Sequence, residues 1–215
     1  MEFLQAQLRM IPFVLQPEPA DFQAKVRSPG TSFLATVPIG TKAKYRGKEY
    51  WRACKTDLRE AFGHICAYTS LHVEEVTGAD TVEHYLPKDK HPNLAYEWTN
   101  FRFVCSRMNG RKGTKAGVID PFLVPDGLFQ IDFPSMLMTV NLAEAQAPTA
   151  AQTIKILGLN DEKCTRSRFR YAHLYATEEV TRNFLSQHAP LIDAELTRQA
   201  ISRGALAEMF KKQPT

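Results

Sequence analysis

Trp51, Cys54, Leu58 and Phe62 recur at helical spacing and are followed by Gly63, which predicts a first helix over 49–62 with one buried stripe. The period then changes. Residues 81–86 and 101–106 alternate or run apolar with β-branched and aromatic members, which predicts two short strands. The segment joining them, PKDKHPNLAYEWTN, is long for a hairpin, and loops of that size in a compact domain usually carry function. GLFQIDF, from Gly127, predicts a further strand. AAQTIKILGLNDEKCTRSRFRYAHLYATEEVTRNFLSQ reads as helix, turn, helix, with Asn160 as N-cap and Asp161 and Glu162 where the helix dipole favours anions. APLIDAELTRQAISRGALAEMFKK predicts one or two closing helices. Before residue 45, Pro12, Pro17, Pro19, Pro29–Gly30 and Pro38 with Gly40 punctuate short apolar pieces, so an irregular arm is expected there.

The chain has 215 residues, 44% hydrophobic, enough for one substantial core. No apolar run approaches the roughly 20 residues that span a bilayer, and the opening MEFLQAQLRMIPFVLQPEP is too broken by polar residues and proline for a signal peptide. A cytoplasmic protein without a membrane association is expected. Cys54, Cys66, Cys105 and Cys164 are too few and too scattered for a secreted disulfide framework. Net charge is only +4, but the positive residues cluster. Lys42, Lys44, Arg46, Lys48, Arg52 and Lys55 form one group, Arg107, Arg111, Lys112 and Lys115 a second, and Lys163, Arg166, Arg168 and Arg170 a third. Brought together, such groups neutralise phosphates; taken singly, most lysines and arginines are simply solvated.

Chemistry concentrates in TVEHYLPKDKHPNLAYEWTNFRFVCSRMNGRKG. Phosphodiester hydrolysis needs a base for water, positive charge on the phosphate and leaving oxygen, and fixed geometry. Histidine suits the first task because its ordinary pKa lies near neutrality, and Mg²⁺ takes carboxylate or amide oxygens. Glu83 and His84 are neighbours on a strand and point to opposite sides. Without a bulge or twist they cannot ligate one ion, so His84 is expected as base and Glu83 as ligand or orienter. Asn109, at the expected entry to a helix, offers its amide oxygen as a second ligand. Asn100, at the end of the long loop, is placed to pin that loop and, through its backbone, the imidazole.

VEHYLPK, EWTNFRFVC and NGRKG together resemble the HNH, or ββα-metal, endonuclease motif. The wider frame is similar to the PtuB-like HNH effectors of Septu and retron anti-phage systems: WRACKTDLREAFGHICAYT before the motif, Asp120–Pro121 after it, and TIKILGLND further on. The resemblance covers about residues 50–175. It implies an α+β fold in which a ββα-metal core is embedded in a mainly helical domain. The expected partition is an arm over 1–45, a nuclease core with its preceding helix over 46–135, and a helical part of the same domain over 136–215. The resemblance also implies a metal-dependent DNA endonuclease working with an ABC-type ATPase. In that scheme His84 is the general base, Asn100 the supporting catalytic residue, Glu83 and Asn109 the ligands of Mg²⁺ or Mn²⁺, and Lys88, Arg107, Arg111 and Lys112 the phosphate contacts. Many such proteins clamp a structural zinc with two CxxC pairs. Here the second members are Thr69 and Met108, a hydroxyl and a thioether that bind zinc poorly, so no structural zinc is expected and apolar packing takes its place. Two other functions fit the same residues: a catalytically silent nucleic-acid-binding or assembly subunit, and an RNase.

Overall fold

The computed structural model of the chain describes residues 13–211, and its backbone contacts group into two units. One comprises Val14–Tyr68 and Val73–Ala116; the other comprises Thr69–His72 and the chain from Gly117 onward.

In the first unit, the proline-based expectation of an irregular arm needs correction. A π-type turn over Gln23–Arg27 runs into helix α1, Ser28–Ala35. Pro29 falls in the first turn of α1, where its missing N–H is no loss. Gly30 serves packing, because a Cβ there would lie 2.1 Å from Tyr96 Cγ. Residues 1–12 of that arm lie outside the described residues. The stripe beginning at Trp51 forms a 3₁₀ turn, Tyr50–Cys54, continuing as helix α2, Lys55–Ala61. Trp51, Cys54, Leu58 and Phe62 are all buried.

Strand β1, Asp80–His84, pairs antiparallel with strand β2, Phe101–Cys105, in an unbroken register from Asp80↔Cys105 to His84↔Phe101. Helix α3, Ser106–Lys112, follows β2 directly. The sheet is lined differently on its two sides. On one, Thr81 and Glu83 meet Asn109 and Lys112 of α3. On the other, the His84 ring meets Trp51, and the Phe62 ring lies tilted beside that of Phe103. The β1–β2 connection is tightened by 3₁₀ turns at Pro92–Leu94 and Trp98–Asn100.

In the second unit, strand β3, Phe129–Asp132, pairs antiparallel with strand β4, Leu137–Val140. Helices α4 (Ala147–Leu157), α5 (Glu162–Ala176), α6 (Arg182–His188), α7 (Pro190–Arg198) and α8 (Arg203–Lys211) follow. Asp161, and not Asn160, caps α5, accepting from the Cys164 amide at 2.9 Å. Asn160 instead clasps Met138, accepting from its N–H at 2.7 Å and donating to its carbonyl at 2.8 Å. The buried Glu195 accepts from the Ile131 amide and from Arg198, which ties α7 to β3. Helices with two small antiparallel sheets agree with the α+β class. No helix among the described residues is long and apolar enough to cross a membrane.

Candidate active site

The His84 imidazole is fixed by a backbone carbonyl. Its Nε2 lies 2.9 Å from the Ala95 oxygen. A carbonyl only accepts, so Nε2 carries the proton and the neutral ring keeps the Nδ1 lone pair. The ring stands edge-on to Trp51 at 4.7 Å and to Phe101 at 5.2 Å. Burial holds its pKa down at about 4, and the charges of Lys88 and Lys112 push the same way against the Ala95 hydrogen bond. The imidazole is therefore neutral at pH 7, the form a proton acceptor needs.

Asn100 supports the carbonyl that supports His84. Its Oδ1 accepts from the Leu86 amide at 2.8 Å, and its Nδ2 donates to Leu86 and Leu94 oxygens at 3.0 and 3.1 Å. The side chain thus closes both ends of the long loop one residue before Ala95. The Asn100 backbone carbonyl accepts from Tyr85, while the imidazole is held by Ala95 and not by the Asn100 backbone.

Glu83 faces away from His84 and into α3. It is 2% exposed, and Lys112, 1% exposed, donates to its Oε1 while the Tyr68 hydroxyl donates to Oε2 at 3.1 Å. Burial raises the Glu83 carboxyl, and Lys112, Tyr68 and Arg102 oppose that rise. Asn109 is the fourth residue of α3, not its start, and its Nδ2 donates to the Thr81 hydroxyl at 3.0 Å. The unbroken β1 register contains no bulge to turn Glu83 and His84 to one side. In this arrangement the expected ligand pair does not fit a divalent ion: Glu83 has no exposed oxygen to offer, and an ammonium already sits on its carboxylate. Among the described residues, no group of three or more His, Cys, Asp or Glu is placed to hold a metal.

Of the expected phosphate contacts, Lys88 holds its ammonium 5.4 Å from the Trp51 ring, which itself meets the imidazole, and 5.5 Å from the Tyr45 ring. Arg107 is exposed and Arg111 half-buried on α3. Lys112, expected at the phosphate surface, is buried instead, since it is the counter-ion of Glu83. A cleft of about 450 Å³ opens beside Trp51, lined also by Arg52, Lys55, Asp80, Thr81 and Asn109. Lys55 is paired with Asp80 at 2.9 Å. The structure thus gathers Asn109 with part of the first basic cluster at one cleft. Trp51 is shared between that cleft and the His84 ring.

Cys66 and Cys105 are neighbours, with sulfurs 3.9 Å apart and the Cys105 amide donating to the Cys66 sulfur at 3.4 Å. Met108 is fully buried. Tyr68, two residues after Cys66, is a hydrogen-bond donor to Glu83. Sequence reasoning missed Ala95, Tyr68 and the Arg52–Asp80 side of the cleft. Arg52 and Lys55 had a signal in their basic cluster. Ala95 had none, because it acts through its backbone.

No family model matches the chain. A stretch of 89 residues is 37% identical to Septu protein PtuB of Bacillus thuringiensis, covering 41% of this chain and 32% of that protein. The chain is therefore similar to a PtuB protein over a segment that spans about a third of that relative's length.

Proposed function

We propose that this chain is an HNH-type endonuclease that hydrolyses DNA phosphodiester bonds, acting in the cytoplasm as the effector of a bacterial anti-phage system together with an ABC-type ATPase. The observation that carries the chemistry is the His84 imidazole, neutral and held through Nε2 by the Ala95 carbonyl. The similarity to Septu protein PtuB supports the defence setting.

In this reading Nδ1 of His84 takes a proton from a water whose oxygen attacks phosphorus. The new P–O bond forms as the bond to the departing sugar oxygen breaks, and that oxygen takes a proton from solvent. Asn100 keeps the loop, and with it the base, in place. Arg52 and Lys88 supply positive charge to the strand beside the imidazole. A requirement for Mg²⁺ or Mn²⁺ is part of the proposal: Glu83 and Asn109 are the residues that would hold the ion, with Lys112 off the carboxylate, and it would supply positive charge at the phosphate and leaving oxygen.

The burial of Glu83 against Lys112 favours one alternative, a catalytically silent DNA-binding or assembly subunit. Plasmid cleavage separates the two. Purified protein is incubated with Mg²⁺, Mn²⁺ or EDTA, with and without any co-purifying partner, beside a His84→Ala variant. Metal-dependent nicking that disappears in the variant supports the nuclease. Absence of cleavage in every arm, partner included, leaves the binding subunit.

A further inference from the structure

Lysine is almost never fully buried unless paired, because its desolvation costs several kcal/mol. Lys112 is buried with all three of its N–H donors engaged. They meet Oε1 of Glu83, the His84 carbonyl at 3.0 Å and the Tyr85 carbonyl at 2.8 Å. The Tyr85 ring covers the same ammonium at 5.7 Å. A carboxylate and two carbonyls converging on a positive charge form an oxygen cage of the kind that hard cations occupy. Here a cation tethered to α3 fills the cage.

The tether sits where it can give way. Lys112 is the last residue of a seven-residue helix that contains Gly110 and ends on Gly113, whose φ is +47°. Helices this short hold by packing more than by propensity, and an internal glycine weakens one further. Residues 113–116 beyond it are exposed. Asn109, three residues before Lys112, is anchored separately by its bond to Thr81, so the ammonium could be withdrawn without moving the Asn109 side chain.

We propose that Lys112 is the resident cation of the Glu83 cage, so that a divalent ion reaches Glu83 only by displacing the ammonium. The functional consequence, a nuclease held closed until that exchange, rests on the hydrolytic reading above; the exchange itself does not.

The test uses the full-length chain, treated with chelator and titrated with Mn²⁺ while free Mn²⁺ is followed by electron paramagnetic resonance. Lys112→Met should bind Mn²⁺ about 100-fold more tightly than the parent, because the ion no longer competes with a buried ion pair. Adding Glu83→Gln should abolish the gain. A folded Lys112→Met protein that binds no more tightly overturns the proposal, as does a double variant that keeps the gain.

Should Lys112→Met fail to fold, the parent protein gives the answer by lysine acetylation read by mass spectrometry. Lys112 should be protected without metal and become labelled as Mn²⁺ is added. Protection at every Mn²⁺ concentration overturns the proposal. Neither readout needs cleavage. A protein that cuts DNA with Lys112 still protected refutes the exchange and leaves the nuclease standing, whereas exchange without cleavage does the reverse.

Discussion

Asn100 pairs with Leu86 as one strand residue pairs with another, using its side chain in place of backbone: Oδ1 accepts from the Leu86 amide and Nδ2 donates to the Leu86 carbonyl, at 2.8 and 3.0 Å. A third bond, to the Leu94 carbonyl, spans the loop. Asn100→Ala leaves these buried groups unmet and should cost about 3 kcal/mol, at roughly 1 kcal/mol per bond, measured by urea unfolding. Asn100→Asp should cost at least as much, since it removes the donors and sets a carboxylate against two carbonyls. DNA cleavage should fall in both variants even under conditions where they remain folded.

The His84 pKa sets a direction for acid stability. Folded, it lies at about 4, against an ordinary 6.5. Above pH 6.5 the ring is neutral in both states, and its contribution to stability is fully present. Between about pH 6.5 and 4 the unfolded chain binds the proton first, so stability is lost as pH falls, by up to roughly 3 kcal/mol. His84→Gln should flatten that part of the stability–pH curve. NMR of the native protein should show the His84 ring still neutral at pH 5.5.

Gly30 is one of the points at which α1 touches the aromatic cluster beside His84, Phe33 on Tyr45 being another. The Tyr96 ring that fills its missing side chain lies 5.7 Å from Trp51, which in turn contacts the imidazole. Gly30→Ala should destabilise by about 1–3 kcal/mol through overpacking, despite the higher helix propensity of alanine. Thermal unfolding measures the loss, and an increase in stability would refute the packing account.

Arg52 lines the cleft and is exposed. If the cleft carries a DNA strand, Arg52→Ala should weaken binding across sequences alike and lower the slope of log affinity against log salt by about 0.9, one phosphate contact. Fluorescence anisotropy with a labelled duplex at several salt concentrations gives the slope. An unchanged slope would place the strand elsewhere.

Side-chain periodicity made much of the fold readable. The Trp51–Phe62 stripe, β1 and β2 all formed within a residue or two of their expected bounds, because a buried face imposes its period on the sequence. Pro29–Gly30 misled because proline opens helices as readily as it breaks them, and because the demand for glycine came from Tyr96, 66 positions away. Strand β4 escaped because its solvent-facing Leu137 is apolar, so the residue types of Leu137–Val140 do not alternate although their burial does. At the candidate site, the residue types and their order were visible, but their pairings were not. Nothing in the sequence says that Lys112 turns inward to Glu83 while Arg111, beside it, does not. That choice follows from which face of α3 lies on β1.

Because β1 alternates without a bulge, it works as a thin insulating wall between two charged compartments. Lys112 never touches the His84 ring, yet it bonds the His84 carbonyl from the far side, and its charge makes that ring harder to protonate. Withdrawing the ammonium with nothing in its place would make the imidazole more basic, whereas a divalent ion put there would make it less so. The charge on the side facing α3 is thus coupled to the ring on the side facing Trp51 both by the field and by the hydrogen bond to the His84 carbonyl.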